Sequence, residues 1–206
     1  ILAGTFSAHR ALACTGITLH TANNYPVTAR TIEWAATPLH AMYVIVPRGQ
    51  QQRSFLPDGT LAGKTFTAKY GYVGISVEND AFVMEGINEA GLGVGLFYFP
   101  QYGEYQPYDP QKKEQSVSDM QLAAWILSSF AAINELQAAM PQIRVIATDP
   151  RASTVHWRIT ESSGRQVVLE IVNQHVHFYE NPLGVLTNSP DFGWHLTNLN
   201  NYVNLS

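Results

Sequence analysis

Ten short runs of β character, interrupted once by a helical stretch, set the strongest limit on what this chain can build. They cover residues 15–22, 25–34, 41–46, 66–77, 81–85 and 92–99, then 143–147, 154–160, 166–172 and 175–179. Most are rich in β-branched, aromatic and other apolar side chains. Turn chemistry joins two pairs of them. Asn88-Glu89-Ala90-Gly91 lies between the fifth and sixth, and Ser162-Ser163-Gly164 between the eighth and ninth. Residues 100–115, with Pro100, Pro107 and Pro110, read as a loop. Ser116-Val117-Ser118-Asp119 has the form of a capping box that opens a helix over 120–130. A second helix over 132–140 stops at Pro141. Strands, two helices and strands again predict an α+β layered fold with largely antiparallel sheets, uninterrupted by any linker or internal repeat.

Composition narrows the function. With 46% hydrophobic and 14% charged residues and a net charge of -4, the 206 residues suit one substantial core. Lys112-Lys113 is the only adjacent Lys/Arg pair, and no basic stripe surrounds it, which speaks against a nucleic-acid partner. After the first residues no apolar run reaches the roughly 18 positions of a membrane span. His175 and His177 share a strand face but have no third ligand nearby, and no glycine-rich phosphate loop is present. Neither a metal nor another cofactor is expected.

Cys14 is the only cysteine, so no internal disulfide forms. It follows Ala11-Leu12-Ala13, an A-x-A processing pattern, and residues 1–13 resemble the end of a signal peptide or a propeptide. Three readings stand open: a small buried hydrophobe, a lipid-anchored cysteine, and a nucleophile. A thiol with pKa of about 8.5 is a poor nucleophile at neutral pH unless a base assists it. Cleavage before Cys14 would provide one, an α-amine with pKa of about 8. Export, to the periplasm or medium, is expected if the leader is a signal peptide; the protein is cytoplasmic if it is only a propeptide.

Several further motifs carry a resemblance. Cys14-Thr15-Gly16-Ile17, Ala29-Arg30-Thr31-Ile32-Glu33-Trp34, Gly86-Ile87-Asn88-Glu89-Ala90-Gly91-Leu92, Leu96-Phe97-Tyr98-Phe99-Pro100 and Leu186-Thr187-Asn188-Ser189-Pro190 occur in this order. From Cys14 onward the chain resembles the choloylglycine hydrolases, the family of bile salt hydrolases and penicillin V acylases. That resemblance implies a four-layer αββα N-terminal-nucleophile hydrolase fold and a cysteine amidase acting on a small N-acylated substrate.

It also implies roles for individual residues. Cys14 would form an acyl-thioester. Arg30 would place a charge beside the thiolate, the alternative being an ion pair with Glu33. Glu33 stands where the family usually carries Asp to orient the α-amine. Asn188 and the Tyr98 backbone N–H would stabilise the oxyanion, and tyrosine at position 98 leans toward the acylase side of the family. Trp34, Phe97 and Phe99 are the expected substrate contacts, with Trp34 foremost. Asn88 reads as a structural turn residue. The family continues past the equivalent of Ser206 with more sheet and another arginine, so part of the domain is expected to be missing here or on another chain. A homo-oligomer is expected. A catalytically silent binding protein and a Cys14-acylated lipoprotein remain the alternatives to an amidase.

Overall fold

The computed structural model describes residues 14–33 and 39–203. The leader at 1–13 and Trp34 therefore lie outside the described residues. Along the chain, β1 (Thr15–His20) and β2 (Pro26–Arg30) form a hairpin, β3 (Ala41–Val46) follows, and β4 (Gln51–Phe55) and β5 (Leu61–Thr67) form another. A meander of β6 (Tyr72–Val77), β7 (Asn79–Asn88) and β8 (Gly93–Tyr98) leads to β9 (Ser116–Ser118), α1 (Leu122–Ser129), α2 (Ile133–Ala139) and β10 (Arg144–Ile146). The chain then returns through β11 (Val155–Thr160), β12 (Gln166–Val172), β13 (His175–Glu180), β14 (Val185–Thr187) and α3 (Phe192–Leu199). Seven strands form the main sheet, in the order β13-β12-β11-β8-β7-β6-β3, antiparallel throughout. A three-stranded antiparallel sheet, β14-β1-β2, is the second layer.

Period-two alternation sends the two faces of the main sheet to different partners. Val94, Leu96, Trp157, Ile159, Val167 and Leu169 join one core with α1 and α2. Helix α1 reads Leu-Ala-Ala-Trp-Ile-Leu and is buried on nearly every side, as a helix without a polar face must be. The opposite face carries Phe97 and Val168, which meet Cys14, Leu186 and Phe192 in a second cluster between the sheets. Strand register puts Glu85, Gly95 and Arg158 in one row of this face, and His156 opposite Phe97 in the next.

Two glycines let this layer close. A Cβ on Gly16 would lie 2.6 Å from the Phe97 ring and 2.7 Å from the Arg158 guanidinium. A Cβ on Gly95 would meet the Glu85 carboxylate, which lies across it. Farther out on the same face, Ile45, Val73 and Ile87 are 77%, 50% and 51% exposed, so the small sheet covers only part of the large one. Among the described residues no helix is long and apolar enough to cross a membrane.

The structure corrects several sequence expectations. Ser116 does not cap a helix: residues 116–118 form β9, paired in parallel with β10, and Ser116 Oγ donates to Lys112 O. Backbone groups committed to a ladder cannot also start a helix, so α1 begins only at Leu122, after a 3₁₀ turn. The run 66–77 is two strands, because the Lys69 and Tyr70 N–H groups donate to Ser128 O at the end of α1. The β4–β5 hairpin was not foreseen, although Pro57-Asp58-Gly59-Thr60 signals it. Asp58 Oδ1 accepts from Thr60 N–H, and Gly59 has a φ of 81°. Asn88 ends β7 rather than standing in the turn. Its side chain donates to Leu127 O and Phe130 O and accepts from the Ala90 and Leu92 N–H groups, tying the hairpin to α1.

Candidate active site

Cys14 sits immediately before β1 and is only 3% exposed. Register places β14 alongside, with Thr15 opposite Thr187, and Thr187 Oγ1 donates to Cys14 O at 2.9 Å. The Cys14 thiol lies 3.6 Å from Glu33 O, to which it donates. Cys14 forms part of the wall of a cavity of about 600 Å³. Ile32, Leu39, Phe82, Met84, Leu96 and Met120 give this cavity its apolar surface, and Tyr98, Asp119, Thr148 and Ser153 its polar points. Asp149 and Arg151 also line it. They engage one another through Arg151 Nε to Oδ1 at 3.0 Å and Nη2 to Oδ2 at 2.8 Å.

Two residues expected to stabilise an oxyanion are brought together. The Tyr98 backbone N–H donates to Asn188 Oδ1 at 3.0 Å. An N–H requires an acceptor, so this bond fixes which end of the Asn188 amide faces Tyr98, with Nδ2 as the amide's donor end. Ser189 N–H in turn donates to Tyr98 O, so the strand end and the Asn-Ser turn are bonded in both directions. The Tyr98 phenol reaches Ser153 Oγ at 2.8 Å on the cavity wall.

Arg30 lies opposite Gly16 and shares the inward face of the small sheet with it. Its guanidinium donates to Met84 O at 3.1 Å and to Leu96 O, and its Nε donates to Thr31 O. Its ion pair is with Glu85, at 3.4 Å. Glu85 also pairs with Arg158 at 3.3 Å, and Arg158 donates to Ile17 O at 3.2 Å. The two guanidinium carbons lie 4.1 and 5.7 Å from the centre of the Phe97 ring, so one aromatic face system and one carboxylate share two cations. Burial pushes the Glu85 carboxyl above its ordinary range, while Arg158 and Arg30 pull the other way. Burial lowers the Arg158 guanidinium for the same reason.

Phe97 and Phe99 are fully buried and do not line the cavity. Phe97 fills the layer between the sheets, and Phe99 stacks on the His156 ring with centroids 4.4 Å apart. The apolar lining of the cavity comes instead from residues such as Ile32, Leu39, Phe82, Met84 and Met120, aliphatic and aromatic positions with no motif to mark them. Of the other sequence candidates, Cys14 and Tyr98 line the cavity, while Asn188 joins it through Tyr98.

Sequence reasoning missed a second buried polar pair. His156 Nδ1 faces Glu170 Oε1 at 2.9 Å, and His156 Nε2 faces Thr187 O at 2.9 Å, with both side chains fully buried. Glu170 Oε1 also accepts from Phe192 N–H at the start of α3. A carbonyl can only accept, so Nε2 carries a proton, and a second proton lies between Nδ1 and Oε1. The pair thus ties β11 and β12 to the residue preceding Asn188. The available signal was a titratable letter between apolar ones in a strand, Val155-His156-Trp157 and Leu169-Glu170-Ile171.

Residues 14–206 match the profile of the linear amide C–N hydrolases of the choloylglycine hydrolase family. A bile salt hydrolase/transferase of Clostridium perfringens is 29% identical over 198 residues, 93% of this chain and 58% of the relative. One from Lactiplantibacillus plantarum is 28% identical over 94% of this chain and 58% of its own length. A crystal structure of a conjugated bile acid hydrolase from C. perfringens superposes with a TM-score of 0.76 at 28% identity, covering 92% of this chain and 58% of that one. A penicillin V acylase from Agrobacterium tumefaciens shares the fold, with a TM-score of 0.75 at 23% identity, over 94% of this chain and 58% of that one. The chain thus spans under two thirds of the length of these relatives.

Proposed function

Because the chain belongs to the choloylglycine hydrolase family of linear amide C–N hydrolases and has the N-terminal-nucleophile hydrolase fold, we propose that it hydrolyses an N-acylated small molecule through Cys14. The observation that carries this reading is the placement of the lone thiol in the wall of an apolar cavity shared with Tyr98, whose N–H holds Asn188. Removal of residues 1–13 exposes the Cys14 α-amine, which takes the thiol proton. Sγ then bonds to the amide carbonyl carbon, and the carbonyl oxygen becomes an oxyanion.

Asn188 Nδ2 donates to that oxyanion, and the Tyr98 N–H, bonded to Asn188 Oδ1, orients the amide; such a donor contributes about 3 kcal/mol. Collapse breaks the C–N bond as the ammonium returns its proton to the leaving amine. Water, deprotonated by the same amine, then cleaves the thioester to release the acid. Arg30 supplies positive charge beside the thiolate, and Glu33 replaces the usual Asp in orienting the amine. Glu33 has one more methylene than Asp, so its backbone carbonyl beside the thiol is the fixed part of this contact.

Substrates in this reading are penicillin V-like amides, conjugated bile salts and N-acyl homoserine lactones. The test is a hydrolysis panel of these three classes on protein shown by mass to begin at Cys14. Turnover that disappears in Cys14→Ala is expected, and no turnover of any member would overturn the reading. Intact masses of wild type and Cys14→Ala, expressed without export, assign the cleavage step. Self-processing predicts that the leader stays on the variant, and equal cleavage in both would exclude it.

A further inference from the structure

We propose that Asp119 is a specificity-determining residue of the Cys14 cavity, selecting acyl groups that carry a hydroxyl able to donate a hydrogen bond to its Oδ2. The proposal rests on the amidase reading for its substrate class, but not for its geometry. Asp119 lies where β9 gives way to the turn before α1, is 4% exposed, and lines the same cavity as Cys14. Its Oδ1 takes three hydrogen bonds, from Met120 N–H at 2.8 Å, Thr148 N–H at 2.9 Å and Thr148 Oγ1 at 2.5 Å. Its Oδ2 accepts from no other residue among those described, the Asp119 N–H being a further donor to the carboxylate, and it is not one of the buried polar atoms sealed without a partner. Asp119 retains a small exposure and lines the cavity, and Oδ2, the oxygen with fewer donors, is the one assigned to that opening.

The surroundings make that oxygen discriminating. The other charged groups lining the cavity among the described residues are Glu78, Asp149 and Arg151, of which the last two engage one another bidentately. Most of the remaining wall is apolar. Water can solvate Oδ2 in the empty cavity, but a bound acyl group displaces it. A hydrocarbon acyl group leaves a buried acceptor unsatisfied, whereas a hydroxyl replaces the lost water. Burial also holds the Asp119 carboxyl above its ordinary range, against the hydrogen bonds it accepts from Thr148, Met120 and its own N–H, which is the mark of a poorly solvated group.

Asn at this position separates the two oxygens. Asp119→Asn keeps an oxygen for the three donors at Oδ1 and turns the Oδ2 position from an acceptor into a donor. The experiment compares matched ligands that differ only in hydroxylation: hydroxylated and deoxy conjugated bile salts, and 3-hydroxy, 3-oxo and unsubstituted N-acyl homoserine lactones. Dissociation constants are measured by calorimetry on Cys14→Ala protein, and kcat/KM on processed protein with Cys14 intact.

The hydroxylated member of the better-bound pair is expected to bind at least five-fold more tightly than its deoxy partner. Asp119→Asn should bring that ratio below two and favour the oxo ligand. A ratio near one in the wild-type site, or a ratio that Asp119→Asn leaves unchanged, would overturn the proposal, as would failure to bind any ligand. The wild-type ratio is readable even if the Asn variant does not fold. Hydroxyl discrimination in binding without turnover would sink the amidase reading and leave the role of Asp119 standing.

Discussion

Replacing Glu85 by Gln tests whether the layer between the sheets depends on a shared, partly buried carboxylate. Glu85 stands 3.4 Å from Arg30 and 3.3 Å from Arg158, whose side chains are 5% and 1% exposed, while its own is 23% exposed. Removing one partner of a fully buried pair costs about 3–5 kcal/mol, because the surviving charge is stranded without a counterion. Here two guanidiniums are stranded. Against that, Gln keeps an acceptor oxygen, and the partial exposure of residue 85 screens the charges, so the expected loss is roughly 2–3 kcal/mol. For a chain of this size that lowers Tm by roughly 5–10 °C.

Urea unfolding at neutral pH, followed by the fluorescence of the buried Trp125 and Trp157, reads the loss directly. Arg158→Met and the double variant complete a cycle, in which a coupling of at least about 1 kcal/mol is expected for groups in contact. A loss below about 0.5 kcal/mol for Glu85→Gln, or strict additivity in the cycle, would refute the claim that the carboxylate holds the two cations.

Two further outcomes follow from the same layer and from the cavity. His156→Leu strands Glu170, which is fully buried and whose Oε2 already lacks a partner among the described residues. The expected cost is about 3–5 kcal/mol in urea unfolding, and a cost under 1 would show that the pair is dispensable. Asp119 is raised by burial, so the folded protein holds this proton more tightly than the unfolded chain does. Its stabilising contribution is fully present below the ordinary carboxylate pKa and is lost as pH rises through the folded value. The Tm of wild type relative to Asp119→Asn should therefore fall as pH rises above the ordinary carboxylate range, and a constant difference would contradict the burial argument.

Much of the fold was legible because its signals are local. Residues 41–46 and 166–172 appear as β3 and β12 with the expected bounds, and Ser162-Ser163-Gly164 forms the turn between β11 and β12, with Gly164 at a φ of 88°. Alternation is a property of the strand itself, and a turn needs only its own few residues. The capping box failed for the opposite reason. Ser116 to Asp119 satisfied a local rule, but the chain segment 144–146, about 28 positions away, claimed the same backbone for a parallel ladder. Local propensity is worth less than a set of ladder bonds that burial leaves no alternative to make.

By itself, the sequence determined the α+β layering, the lone thiol behind a processing pattern and the motifs of Arg30, Tyr98 and Asn188, since residue type and order are all these require. Only the tertiary structure decided which groups meet. It turned Arg30 toward Glu85, sealed Phe97 between the sheets and Phe99 against the His156 ring, buried His156 against Glu170, and assembled a cavity from Ile32, Phe82, Met84, Met120 and Asp119. Those partners come from segments far apart in the chain. Their encounter is set by sheet register and the face each strand turns inward, and neither is written in any one segment.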